Sequence, residues 1–259
     1  MSSSFVNLPI LPLSARWKHG SVPVIGLIGA IGSGKSQVAS LLRARGAIVI
    51  DADALGHEAL EQPDIRRRLI ERFGPKVARG GNEPACSSCR IDRQALGSVV
   101  FADPSALIDL EAIVHPEIRR RCESIMNPEI ATARAPAIVL DAALLLEAGW
   151  NDLCDMVVFV DAPRALRLRR VTERRGWTDA MLAAREAAQW TDEAKRGGAD
   201  RVLRNDSTLE ELEHDVEALF YLLTDPAGHE AAWSQTAASA ALARRPSCAP
   251  VVMMPRDSR

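Results

Sequence analysis

The residues Gly29-Ala30-Ile31-Gly32-Ser33-Gly34-Lys35-Ser36 carry the spacing G-x-x-x-x-G-K-S. Each residue type in that pattern has a use against a polyphosphate. Glycines at 29, 32 and 34 let the backbone turn tightly, so that successive N–H groups around Ser33 point at phosphate oxygens. Lys35 reaches the β and γ phosphates, and the Ser36 hydroxyl can ligate Mg²⁺. The chemistry implied is the binding of a nucleoside triphosphate, with Gln37 beside the loop in the same expected set.

Acidic residues supply the second half of a phosphoryl-transfer site. Asp51 and Asp53 close an apolar run, and a carboxylate there can accept the proton of an acceptor hydroxyl or support Mg²⁺; the N-cap of the helix that begins at Ala54 is the other reading of Asp53, the functional role is the preferred one, and one residue can serve both. Asp141 ends the run Ala137-Ile138-Val139-Leu140, a Walker B-like arrangement with a role toward Mg²⁺. Glu147, six residues on, is either a polar group of the cleft or a solvated side chain. Between Arg164 and Arg175 arginine recurs at helical intervals, with Arg167, Arg170 and Arg174 on one face. Such a face either closes over a triphosphate or is simply solvated. His115-Pro116 interrupts a helical pattern and is read as a kink or as an acceptor contact.

These groups need a scaffold, and the apolar runs describe one. Val22 to Ile28, Ala47 to Ile50, Ala137 to Leu140, Met156 to Val160 and Arg201 to Leu203 read as buried parallel strands alternating with helices. The fold class expected is α/β, a P-loop NTPase-type parallel five-stranded sheet flanked by helices. An inserted helical substrate-binding subdomain occupies about residues 54–135. Within it, Asp103 and Pro104 open a helix running to Met126, by the N-cap and first-turn proline rules. Ser207 and Thr208 begin two overlapping capping boxes ahead of a final amphipathic helix. The domain reading is an N-terminal extension over 1–21, a core over 22–224 with a lid over about 164–198, and an unstructured tail over 225–259 rich in Ala, Ser, Pro and Arg.

Bulk properties exclude several classes. The chain has 259 residues, 47% hydrophobic and 25% charged, with a formal net charge of −2, as expected of a globular protein and without a general basic footprint for nucleic acid. Its most apolar long segment, Pro136 to Leu146, contains Asp141 and falls far short of the roughly 20 residues of a membrane helix. No membrane, no nucleic acid and a cytoplasmic location are the corresponding expectations. Five scattered cysteines argue against a disulfide framework. Cys86 and Cys89 have metal or redox spacing, but one pair supplies only two of four structural-zinc ligands, and a surface-loop insertion is the preferred reading.

From about Val24 to Leu223 the chain resembles the dephospho-coenzyme A kinases. The resemblance rests on Gly26 through Ser36, Val49-Ile50-Asp51-Ala52-Asp53, Asp92-Arg93 with Leu96 and Val100-Phe101, and Leu110 through Pro116. It continues in Leu144-Leu145-Leu146-Glu147, the arginine helix, Gln189, Lys195, Ala199-Asp200 and Asn205. It implies ATP and Mg²⁺ as cofactors, dephospho-CoA as small-molecule substrate, and transfer of the γ-phosphate to the ribose 3′-hydroxyl to give coenzyme A. It also implies Asp53 as base, Lys35 and Ser36 as ATP and Mg²⁺ residues, and Arg170 and Arg174 as lid arginines. Asn205 joins the nucleotide set, and the insertion around His115 becomes the acceptor subdomain. Departures from the family pattern are Ala30, Gln37, Ala143, Arg204 and the Cys-containing insertion; Ala30 matters most if its backbone needs a positive φ. The alternatives are a P-loop kinase for another small hydroxyl acceptor and a catalytically silent ATP-binding module. A guanine-reading Asn-Lys-x-Asp motif is absent, which counts against a GTPase switch.

Overall fold

The structure is a computed structural model that describes residues 17–18, 20–79 and 90–224. Most of the expected N-terminal extension, the Cys86/Cys89 insertion and the 225–259 tail lie outside the described residues.

Apolar alternation builds the centre. Strands β1 (Val24–Gly29), β2 (Ile48–Asp51), β5 (Ile138–Asp141), β6 (Met156–Asp161) and β7 (Arg201–Arg204) form one sheet in the order β2-β5-β1-β6-β7. Every pairing is parallel. In β1, Val24 and Ile28 face one core and Ile25 and Leu27 the other; in β6, Val157 and Phe159 oppose Val158 and Val160 in the same way. A strand buried on both faces must read as a continuous apolar run, and all six residues of β1 are buried. Compared with the sequence reading, β2, β5, β6 and β7 each continue by one residue, to Asp51, Asp141, Asp161 and Arg204, because the ladder extends to where the carboxyl edge meets the cleft.

One face of the sheet is covered by α1 (Lys35–Ala44) and α9 (Leu209–Thr224), through Val38 and Leu42 and through Leu212, Val216, Leu219 and Leu223. Of the two capping boxes, the hydroxyl of Thr208 accepts from Glu211 N at 3.3 Å. The other face is covered by the insertion: α2 (Ala52–Ala59), α3 (Pro63–Phe73), the short antiparallel pair β3 (Ala78–Arg79) and β4 (Arg90–Ile91), α4 (Arg93–Ala102) and α5 (Pro104–Thr132). Its apolar residues merge with those of the sheet into one core, which also holds the free cysteines Cys122 and Cys154. The β3–β4 pair had no counterpart in the sequence reading; at two residues per strand it offers no period to detect.

Helix α5 departs from expectation. It runs through Pro116 and Pro128 to Thr132 rather than stopping at Met126. A proline inside a helix costs about 3 kcal/mol. The buried stripe Ile113, Val114, Ile118, Cys122 and Met126 continues on both sides of Pro116, and packing that stripe against the core outweighs the loss. Asp103 caps its start, accepting from Ser105 N at 2.9 Å.

The remaining helices, α6 (Arg164–Arg175), α7 (Asp179–Glu186) and α8 (Asp192–Gly197), follow β6 and flank the carboxyl edge of the sheet. No helix among the described residues is long and apolar enough to cross a membrane.

Candidate active site

The site begins with a backbone turn. Gly32 and Gly34 have φ of 80° and 93°, and Gly34 is the N-cap of α1, so the loop delivers its N–H groups to a helix N-terminus. A side chain could not replace them: a Cβ on Gly32 would stand 2.9 Å from the Arg167 carbonyl oxygen, and one on Gly34 would meet Asn205 Nδ2. Ala30 is not in this class. Ala133 is the only non-glycine with positive φ among the described residues, so the methyl of Ala30 sits on ordinary backbone. The buried Ser33 hydroxyl has no hydrogen-bond partner, as expected of a cradle shaped to enclose something else.

The loop is held from outside. The Ser33 carbonyl accepts from Asn205 Nδ2 at 2.7 Å and from Arg170 Nη1 at 3.2 Å, while Arg170 Nη2 donates to Asn205 O at 3.0 Å and to Asn205 Oδ1 at 3.2 Å. Arg170 thus bonds only to carbonyl oxygens. Burial, reinforced by repulsion from Arg174 and Arg169, pulls its guanidinium below the ordinary arginine pKa.

Around the loop lies a cleft of about 1190 Å³ lined by the phosphate loop, Gln37, Asp51, Asp53, Asp141, Glu147, Arg170, Arg174 and Asn205. Sequence-distant acids meet there because β2 and β5 end in register, Asp51 beside Asp141. Lys35 Nζ donates to Asp141, which shares its buried edge. Burial raises the Asp141 pKa; Lys35 opposes the rise, and Asp51 and Asp53 add to it. Asp51, rather than Asp53, caps α2, accepting from Ala54 N at 2.9 Å. Asp53 falls in the first turn, exposed to the cleft and with no hydrogen bond or ion pair among the described residues. Ser36, Asp51 and Asp141 therefore lie within one cleft. No three His, Cys, Asp or Glu side chains among the described residues cluster to hold a metal by themselves, and Mg²⁺ characteristically takes one or two carboxylates plus substrate phosphates.

The arginine face divides. Arg167, 3% exposed, turns away from the cleft, pairing with Glu186 and with Asp192 at 2.6 Å and donating to Ala162 O and Ile31 O. Arg170 and Arg174 line the cleft instead. Glu147 accepts from Trp190 N at 3.0 Å and pairs with Lys195 at 3.3 Å. Lys195 is fully buried behind the wall, donating also to Ala143 O at 3.1 Å and Gln189 Oε1 at 2.9 Å. The departure at Ala143 leaves that backbone acceptor in place.

His115 stands apart from the expected set. It does not line the cleft; its ring packs edge-on against Trp150, with centroids 5.2 Å apart, and burial lowers its pKa. Trp177 and Arg185 line the cleft outside the expected set, and Glu111, part of the Leu110–Pro116 resemblance, lines it without an expected role of its own. Trp177 sits in a turn between two helices, where no periodicity marks it, and Glu111 is one acid among many on a long polar helix face. Arg185 lies one helix beyond the arginine run that drew attention.

A sequence profile described as dephospho-CoA kinase matches residues 23–211. The chain is 41% identical over 201 residues to a dephospho-CoA kinase of Thermus thermophilus, covering 78% of this chain and 92% of that one. It is 43% identical over 195 residues to a dephospho-CoA kinase of Deinococcus radiodurans, covering 75% and 89%. A solved Thermus thermophilus structure superposes with a TM-score of 0.65 at 40% identity, covering 78% of this chain and 98% of that one.

Proposed function

The chain belongs to the dephospho-CoA kinase family, and from that premise we propose how its residues perform the transfer. The enzyme is an ATP-dependent phosphotransferase that forms coenzyme A from dephospho-CoA by phosphorylating the ribose 3′-hydroxyl, the last step of CoA synthesis. ATP is the phosphoryl donor. The observation that carries the residue assignment is the division of labour among the three acids at the strand edge: Asp51 is spent on a helix cap, Asp141 holds Lys35, and Asp53 keeps an unbonded carboxylate facing the cleft.

In this reading the triphosphate lies along Gly29–Ser36, with its oxygens against the loop N–H groups and the N-terminus of α1. Lys35 exchanges its bond to Asp141 for phosphate oxygens, a move between two anions across one cleft. Asp53 accepts the 3′-hydroxyl proton as that oxygen bonds to the γ-phosphorus and the bond from phosphorus to the ADP oxygen breaks. Arg170 and Arg174 neutralise charge that spreads over the transferring group. Mg²⁺, when bound, would supply charge neutralisation to the phosphates, and Ser36, Asp51 and Asp141 are the residues that would hold it, directly or through water. Gln37 and Asn205 border the nucleotide, and Glu147 borders the acceptor side. His115 is proposed to act on the acceptor through the packing of α5 and not by touching it.

The test is CoA formation from dephospho-CoA and Mg-ATP, run beside Lys35→Ala. The parent should turn over and the variant should lose at least about 10²-fold in kcat/KM, the order expected when a phosphate-stabilising cation is removed. ATP binding by the parent without transfer would refute the assignment.

A further inference from the structure

Two further guanidinium groups reach the phosphate cleft, and a tryptophan rather than a carboxylate holds them. Arg175 Cζ lies 5.0 Å and Arg185 Cζ 4.0 Å from the centroid of the Trp177 ring. All three side chains line the cleft that contains the phosphate loop. An arginine against an indole keeps most of its N–H donors, whereas one in a bidentate carboxylate pair has used them. Arg185 spends one, on Met181 O at 3.1 Å.

The pairing of the other arginines on α6 argues against a merely solvated basic face. Arg164 pairs with Asp179 and Glu186, Arg167 with Glu186 and Asp192, and Arg169 with Glu173, all turned from the cleft or outside its lining. Arg170, Arg174, Arg175 and Arg185 line it, and none has an ion pair among the described residues. Among the arginines of α6 and α7, those without an ion pair are the ones that line the phosphate site.

The ring itself is fixed by local structure. Gly176, at φ 67°, ends α6, with its N–H donating to Thr172 O at 2.9 Å. The Thr172 hydroxyl donates to Trp177 O at 2.8 Å, and Thr178 caps α7 by accepting from Met181 N at 3.3 Å. Trp177 is thereby held between one helix stop and the next helix start, with Arg175 at the end of α6 and Arg185 in the last turn of α7.

We propose that Trp177 is a positioning residue of the lid, holding Arg175 and Arg185 so that both meet phosphate oxygens of a bound nucleotide. The identity of the nucleotides rests on the kinase reading above. The donor carries a triphosphate and the acceptor a diphosphate, so either can be the anion, and the test separates them.

Equilibrium affinities for ATP and for dephospho-CoA are measured separately on the parent, Trp177→Leu, Trp177→Phe, the Arg175→Gln/Arg185→Gln protein and the triple variant. Trp177→Leu should weaken one nucleotide by about tenfold, and Trp177→Phe, which keeps an aromatic face, should recover to within about threefold. Adding Trp177→Leu to the protein without the two arginines should change affinity by less than about twofold, because the ring then has nothing to position. Loss for ATP assigns the donor phosphates; loss for dephospho-CoA assigns the acceptor diphosphate. If Trp177→Leu does not fold, the double arginine variant must itself show the loss, since it leaves the ring in place. Unchanged affinity for both nucleotides, or an equal loss in the arginine-free background, overturns the inference. A parent that binds ATP but never forms CoA would sink the kinase reading and leave the ATP arm of this test standing.

Discussion

Asp51 and Asp53 are two residues apart, have the same side chain, and take different parts. At the end of β2 the Asp51 carboxylate satisfies the Ala54 N–H of α2, which removes it from competition for a substrate proton. Asp53, one turn into the cleft and unbonded, is left as the group that can accept one. Asp53→Asn keeps the size and the local polarity and removes the basicity. It should bind ATP as the parent does and lose at least about 10²-fold in kcat, read by steady-state turnover beside a nucleotide titration. Unchanged turnover would remove Asp53 from the role. The reading of Ala30 follows from the same scale: the loop demands left-handed backbone at Gly32 and Gly34, and Ala30 lies outside that demand.

Helix α6 shows what an element adds to its residues. Helical spacing puts Arg167, Arg170 and Arg174 near one another, yet the turn of the helix against the loop buries the first and leaves the others facing the cleft. Arg167→Ala should therefore act on stability. It removes hydrogen bonds to Ala162 O and Ile31 O, leaves Asp192 without its partner and leaves Glu186 with Arg164 alone, a loss of about 2 kcal/mol on denaturant unfolding. Arg170→Ala should act on turnover, reducing kcat by about 10²-fold or more. If both variants lost stability alike and kept turnover, the division of the helix face would be wrong. The periodicity of α6 was legible in the sequence. Which arginine faced which side was not, because that depends on where Ile31, Glu186 and Asp192 are brought by the fold.

At the scale of the whole molecule, two cores clamp one parallel sheet, and the insertion belongs to one of them rather than standing alone. His115 is part of that arrangement, half-buried against Trp150. Its folded-state pKa is below the ordinary histidine value of 6.5, chiefly because burial disfavours the cation, with Glu111 in partial opposition. The unfolded chain then binds the proton more readily, so His115 lowers stability as pH falls from about 6.5 toward its folded pKa. Unfolding measured between pH 7 and pH 5 (roughly the range over which histidine titrates) should show a shallower loss on acidification in His115→Gln than in the parent. An equal slope would mean the imidazole is not desolvated.

Some of this protein is a property of its sequence alone. The phosphate loop is local: its glycines, lysine and serine act through the dihedrals and groups of eight consecutive residues, flanked by a strand and a helix whose periods are visible in the chain. The five parallel strands are similarly legible, since burial on both faces leaves continuous apolar runs. Where local rules and packing conflict, the sequence falls short, as at the end of α5, which continues past Met126 and through Pro128 to Thr132. The rest of the site exists only by convergence. Asp51, Asp141, Arg170, Trp177 and Asn205 are scattered over some 150 residues. They meet because strands in register end at one edge and the helices after β6 close against it, and such proximity is set by packing between distant segments and not by spacing along the chain.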